Sequence, residues 1–175
     1  VIDPAAPALV VMSASGAGKS RFGAALAQAL GARFLDADEL HPEGNLRKMA
    51  SGMPLDDSDR APWLDAVATW IAARQAAGEG GVVACSALRR RYRDRLRGGS
   101  RGLGFVYLAV PRQELARRMH TRSHFMPPAL LDSQLATLEP PTTDEDACTL
   151  DGTRALAANI TRVEAWLPTR RATKG

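Results

Sequence analysis

Val10-Val11-Met12-Ser13-Ala14-Ser15-Gly16-Ala17-Gly18-Lys19-Ser20-Arg21-Phe22 is the stretch that decides the fold. Its first residues, with Ala8 and Leu9, form a short apolar run that reads as a buried strand. From Lys19 to Leu30 the pattern turns helical, with Phe22, Leu26, Ala29 and Leu30 on one face and Gly31 as the stop. Between the two, residues 13–20 match the phosphate-loop pattern GxxxxGK[ST] except at the first position, where Ser13 replaces glycine. Gly16 and Gly18 let the backbone curl so that successive N–H groups face an anion, with the helix dipole behind them. Lys19 is in reach of β- and γ-phosphates, and the Ser20 hydroxyl suits a magnesium ion. Ser13, Ala14, Ser15, Gly16, Ala17, Gly18, Lys19 and Ser20 are therefore the expected nucleotide-binding residues, with ATP and Mg2+ as cofactors. A Cβ at position 13 predicts a strained loop and weakened nucleotide binding.

Working outward, the elements alternate. Arg33-Phe34-Leu35 is a second strand that ends at Asp36-Ala37-Asp38, and a polar segment rich in Gly, Pro and Asp runs on to Asp59. Pro62 is placed in the first turn of a helix carrying Leu64, Val67, Ala68 and Ile71 on one side. Val82-Val83-Ala84-Cys85 is a third strand, followed by an arginine-rich helix over about 89–96. Phe105-Val106-Tyr107-Leu108 is a fourth, with a helix over about 113–119 behind it. A polar, proline-bounded loop spans 120–128, then a helix 129–138, a strand 147–150 and a helix 153–167. Strands alternating with helices predict a parallel sheet covered on both faces, an α/β sandwich of three layers. Residues 1–175 are expected to form one domain, with an insert over about 38–60 and a lid over about 120–128.

The 175 residues, 45% apolar and 24% charged, suit a packed core. No apolar stretch is long enough for a bilayer, and residues 1–7 lack the regions of a signal peptide, so a cytoplasmic location without membrane contact is expected. Cys85 and Cys148 have no metal-ligand spacing and read as buried thiols. The net charge of +4 suits anionic ligands but decides nothing alone. Arg89, Arg90, Arg91, Arg93, Arg95 and Arg97 spread over several faces of a helix, with few aromatics, and read as a solvated basic helix rather than a nucleic-acid surface.

No strand ends in an apolar run followed by aspartate, as the usual magnesium-side motif requires. Asp36 and Asp38, at the carboxyl end of the second strand, are the nearest carboxylates to the phosphates. Either could orient or deprotonate an acceptor hydroxyl or hold a metal-bound water, or both could merely cap the next segment.

Beyond these motifs the chain resembles the gluconokinases of bacteria and eukaryotes. The resemblance rests on Asp36-Ala37-Asp38, His41-Pro42, Asn45, Lys48-Met49-Ala50-Ser51-Gly52, Pro54-Leu55, Asp57-Ser58-Asp59-Arg60 and Pro62-Trp63-Leu64. Cys85-Ser86-Ala87-Leu88, Tyr92-Arg93-Asp94, His124-Phe125-Met126-Pro127 and the run 131–141 extend it. It implies ATP-dependent phosphorylation of D-gluconate at its 6-hydroxyl, a five-stranded parallel sheet like that of shikimate and nucleoside-monophosphate kinases, a closing lid and a homodimer. Two departures stand out: Ser13 for glycine, and Arg122-Ser123-His124-Phe125, one residue shorter than the family's lid motif.

Gluconate offers a carboxylate and a row of hydroxyls, which call for guanidinium, imidazole, amide and carboxylate groups. The insert supplies His41, Asn45, Arg47, Lys48, Asp59 and Arg60. His41 also reads as a plain turn residue before Pro42, and Asp59 as the N-cap of the following helix. Ser86 and Arg89 follow the third strand and are expected near substrate. Arg122 is the expected lid arginine on the transferring phosphoryl group, with Arg118 its competitor. Met49, Met53, Trp63 and Trp70 are expected to pack the core or the insert. Two alternatives remain open: a kinase for a shikimate-like hydroxy acid, and a catalytically impaired nucleotide-binding regulator.

Overall fold

A computed structural model describes residues 7–121 and 129–172, with the side chains of residues 171 and 172 excepted. Its strands are β1 (Ala8–Met12), β2 (Arg33–Asp36), β3 (Gly81–Ala84), β4 (Gly104–Ala109) and β5 (Ala147–Asp151). Its helices are α1 (Lys19–Leu30), α2 (Glu43–Ala50), α3 (Asp57–Ala76), α4 (Arg90–Gly98), α5 (Arg112–His120), α6 (Leu130–Thr137) and α7 (Leu156–Ala172). All neighbouring strands pair in parallel, in the order β2-β3-β1-β4-β5.

The alternation of side chains along β1 explains the three layers. Val10 and Met12 point to one face, where they meet Trp63, Leu64, Val67 and Ile71 of α3 and Tyr92 and Leu96 of α4. Leu9 and Val11 point to the other, against Phe22 and Leu26 of α1, Leu115 and Met119 of α5 and Val163 of α7. With both faces covered, the strand is apolar at every position, as its sequence requires. The chain leaves β1 towards β2 and β3 on one side and returns through β4 and β5 on the other. Such a reversal opens a crevice at the carboxyl ends of the central strands.

Local signals set most boundaries. Gly31 ends α1 in the left-handed conformation, φ 64°, its N–H reaching the carbonyls of Ala27 and Gln28. Helix α3 starts earlier than expected. Its N-cap is Asp56, whose carboxylate accepts from the Asp59 N–H while Asp59 accepts from the Asp56 N–H. Pro62 therefore lies inside α3 rather than in its first turn. The polar segment is also more ordered than its composition suggests. It forms a 3-10 turn (Ala37–Leu40), capped by Asp36, and then α2.

The arginine-rich helix is no free basic surface. Arg93 is fully buried, its Nε and Nη2 on the two oxygens of Glu145 at 2.7 Å each. Its Nη1 donates to the carbonyls of Ala87 and Glu139 at 3.0 Å. Arg90, Arg91, Arg95 and Arg97 each pair with a carboxylate as well. Both cysteines are free thiols, Cys85 buried and Cys148 half-buried. Among the described residues no helix is long and apolar enough to cross a membrane.

Candidate active site

The loop after β1 curls as the glycine spacing demands. Gly16 and Gly18 both have φ +86°, and a Cβ on Gly16 would lie 3.1 Å from Met119 Cγ and 3.2 Å from the Leu115 carbonyl. Gly18 is the left-handed N-cap of α1. Ser13 does not share this conformation: among described non-glycine residues only Ala87 has positive φ. The Ser13 hydroxyl, buried, donates to the Leu108 carbonyl at 2.8 Å and ties the loop to β4. The strain expected at position 13 is thus absent, because this backbone suits any L-residue.

Lys19 Nζ donates to the Ala14 carbonyl at 3.1 Å. Burial lowers its pKa below 10.5, opposed by the nearby carboxylates of Asp38 and Asp36. Burial likewise pushes the Cys85 thiol up to about 12, so it stays neutral beside the lysine. Ser20 Oγ donates to Asp36 Oδ2, and Asp36 Oδ1 accepts the Asp38 N–H at 3.0 Å. One carboxylate thus both caps the 3-10 turn and stands beside the phosphate-loop hydroxyl. Ser20 and Asp36 are hard oxygen donors of the kind magnesium takes. Among the described residues no group of three His, Cys, Asp or Glu side chains could hold a metal ion. A cation here would share its coordination with nucleotide phosphates.

Asp38 faces a different space. With Ser15, Lys19, His41, Arg60 and Ser86 it lines a pocket of about 50 Å³ floored by Trp63. His41 stacks on the Trp63 ring, centroids 4.1 Å apart, and Trp63 Nε1 donates to the Ala37 carbonyl at 2.7 Å. Asn45 Nδ2 donates to the Asp59 carbonyl at 2.9 Å, which fixes the amide orientation, since a carbonyl only accepts. The same nitrogen lies 3.3 Å from His41 Nδ1, so that ring nitrogen accepts. The ring proton is then on Nε2, 3.7 Å from Asp38 Oδ1. Burial, then the Arg60 charge, lowers the His41 pKa from 6.5 to about 4, so the ring is neutral at physiological pH. Arg60 is steadied by Tyr92, whose hydroxyl lies 3.2 Å from Nη1 and whose ring lies beneath the guanidinium.

A second, larger cavity of about 570 Å³ opens on the far side of the loop, lined by Gly18, Arg21, Arg117, Arg118, Gly152 and Arg154, among others. Arg118 spans it: Nη1 donates to the Ala17 carbonyl at 3.3 Å and Nη2 to the Gly152 carbonyl at 3.2 Å. The phosphate loop therefore separates two spaces, one of nucleotide size and one lined by an aspartate, a histidine and an arginine.

A family model described as an AAA domain matches residues 9–141. The gluconokinase of Gluconobacter oxydans (strain 621H) is 48% identical over 145 residues, 82% of each chain. The chain belongs to the gluconokinase family. Among solved structures, a gluconokinase from Sinorhizobium meliloti 1021 matches with TM-score 0.81 and 43% identity, covering 95% of this chain and 98% of that one. A sugar kinase from Janibacter sp. HTCC2649 matches with TM-score 0.89 and 41% identity, covering 93% and 95%. The five-stranded parallel sheet expected of such a kinase is the one observed.

For this family member the structure gathers Lys19, Asp38, His41, Arg60 and Ser86 around one pocket. It does not bring Arg47 there: that side chain is 72% exposed and pairs with Glu43 one turn away. Asp59 is occupied by its capping role and by Lys48, whose Nζ donates to it at 2.6 Å, and it is not the N-cap itself. Arg89 is the N-cap residue of α4 and is not among the residues lining the pocket, and its buried Nε has no hydrogen-bond partner among the described residues. Met49 packs as expected, with Leu55 and Leu130, but Met53 is 52% exposed. Arg122, and most of the lid expected over 120–128, lie outside the described residues.

Sequence reasoning missed Ser133 and Gln134 of α6, which line the same pocket. They fall within the run 131–141 that carried the resemblance, but no short-range pattern marks them as site residues. It also missed the kink after β3. Ala87, φ 44°, aims Ser86 into the pocket and is held by the Arg93 hydrogen bond to its carbonyl.

Proposed function

We propose that the protein transfers the γ-phosphoryl group of ATP to the 6-hydroxyl of D-gluconate, giving 6-phosphogluconate and ADP. The observation that carries this reading is the single pocket in which the phosphate-loop residues Ser15 and Lys19 meet Asp38, His41 and Arg60. ATP occupies the larger cavity, its phosphates on the N–H groups of residues 13–20 and on Lys19, with Arg118 at the nucleotide side. Ser20 and Asp36 would hold Mg2+, which would supply charge neutralisation to the phosphates.

Asp38 is the acceptor-side carboxylate. It receives the hydroxyl proton as the oxygen–phosphorus bond forms and the bond to the departing ADP oxygen breaks. The neutral His41, its Nε2 3.7 Å from Asp38 Oδ1, does not compete for the proton. Asp36, bonded to the Ser20 hydroxyl and not among the residues lining the acceptor pocket, is left to the metal side. Arg60 takes the gluconate carboxylate, with Ser86 and Arg89 at the neighbouring hydroxyls. Arg122 is assigned to the transferring phosphoryl group from the lid. A cytoplasmic homodimer is the assembly proposed, on the family resemblance.

The test is ADP release with magnesium-ATP against D-gluconate, shikimate and related sugar acids, with Lys19→Ala as the blank. Turnover on gluconate that is lost in the variant is expected. ATP binding without turnover on any acceptor would overturn the reading.

A further inference from the structure

Helix α6 places one side chain at the boundary between the phosphate loop and the acceptor pocket. Gln134 Oε1 accepts the backbone N–H of Ser15 at 2.7 Å, and the same residue lines the pocket with Lys19 and Asp38. The helix that carries it is held at several points. Leu130 packs on Met49 and Leu55 of the insert, and Leu131 belongs to the core on the α1 face of the sheet. Asp132 pairs with Arg112 of α5. Just past its end, the Glu139 N–H donates to the Leu88 carbonyl at 2.7 Å and the Glu139 carboxylate accepts the Arg90 N–H at 2.7 Å. The fully buried Arg93 donates to the Glu139 carbonyl. A helix tethered in this way to the insert, to α5 and to the segment after β3 gives Gln134 a fixed position.

We propose that Gln134 is a positioning residue: it fixes the Ser15 arm of the phosphate loop against the acceptor pocket, so that the phosphoryl group passes to the acceptor hydroxyl rather than to water. This rests on the kinase reading above. An amide oxygen suits the task, since it accepts the N–H without bringing a negative charge to where the phosphoryl group crosses. A misplacement of an ångström at such a point costs far more in rate than in binding.

The experiment compares wild type, Gln134→Met and Gln134→Glu by ADP release with and without D-gluconate, together with Tm. Methionine fills the space but accepts no hydrogen bond. Gluconate-dependent kcat should fall about tenfold, with the KM for ATP within about threefold and gluconate-independent hydrolysis undiminished, so that the transfer-to-hydrolysis ratio falls. Glutamate keeps the acceptor, so its Tm should match wild type, while its charge beside the phosphates raises the KM for ATP. A Gln134→Met enzyme with wild-type kcat and ratio overturns the inference. So does one in which transfer, hydrolysis and Tm fall together, which marks a purely structural contact. Wild type showing no gluconate-dependent turnover would sink the kinase reading and this inference with it.

Discussion

Replacing Arg93 by methionine tests whether the buried guanidinium is what holds the segment behind the pocket. The side chain is fully buried and saturated, with Glu145 on two nitrogens and the carbonyls of Ala87 and Glu139 on the third. The Glu145 side chain is itself only 1% exposed. Hydrogen bonds from Arg93, its largest stabilising partner, and then from Arg97 carry its carboxyl from 4.5 to about 2, against the opposing effect of burial. That difference corresponds to roughly 3 kcal/mol at most, since nearby solvent screens part of it. Breaking a buried pair from one side costs about 3–5 kcal/mol by general experience, and the orphaned carbonyls add to it. We therefore expect Arg93→Met to lose about 4 kcal/mol, which at a urea slope of about 2 kcal/mol/M moves the midpoint down by roughly 2 M. Emission from Trp63, Trp70 and Trp166 reports the transition. The double variant Arg93→Met/Glu145→Leu removes the carboxylate that Arg97 alone still pairs, but it also takes that partner from Arg97 and leaves the orphaned carbonyls, so it should recover only part, ending about 2 kcal/mol below wild type. The pH dependence has a definite sign. Because the folded pKa is depressed, the Glu145 contribution is fully present above 4.5 and is lost as pH falls towards 2, a slope that Arg93→Met should flatten. A loss under about 1 kcal/mol, or a double variant less stable than the single one, would refute the reasoning.

Three further outcomes are expected. Ser13→Gly should lower stability by about 1–2 kcal/mol, through the lost bond to Leu108 and the freer unfolded chain, with ATP affinity changed less than about threefold; calorimetric melting beside nucleotide titration separates the two. His41 has a folded pKa near 4, below 6.5, so its protonation favours the unfolded chain. Wild-type stability should fall by on the order of 2 kcal/mol between pH 6.5 and 4 after screening, and His41→Gln should be flatter across that window in urea titrations. Asp38→Asn should cut kcat by about 100-fold or more with the KM for ATP little changed, whereas Asp36→Asn should raise the magnesium concentration needed for half-maximal rate, both read by steady-state ADP release.

The phosphate loop, the five strands, the helices other than α2 and the double-faced sheet were legible in the sequence because each rests on short-range rules. Glycine conformation, apolar spacing and a lysine at fixed distance from a serine need no distant partner. The same local rules misplaced the start of α3, since several acidic residues near it are all plausible caps and only the reciprocal Asp56 and Asp59 bonds choose between them. Arg47 and Arg60 were equally good candidates by type. The helix turns one towards solvent and Glu43, while α3 sets the other over Tyr92 and into the pocket.

What the sequence determined by itself is therefore the nucleotide end of the site and the fold that presents it. What only the tertiary structure decided is the rest: that Arg93 is buried rather than solvated, that Asp36 bonds the Ser20 hydroxyl while Asp38 lines the pocket with His41 and Arg60, and that Gln134 meets Ser15 across 119 residues of chain. The physical reason is that charge placement and long-range hydrogen bonds follow from which surfaces are buried together. That is settled by the packing of the whole sheet and its helices, not by any residue's neighbours in sequence.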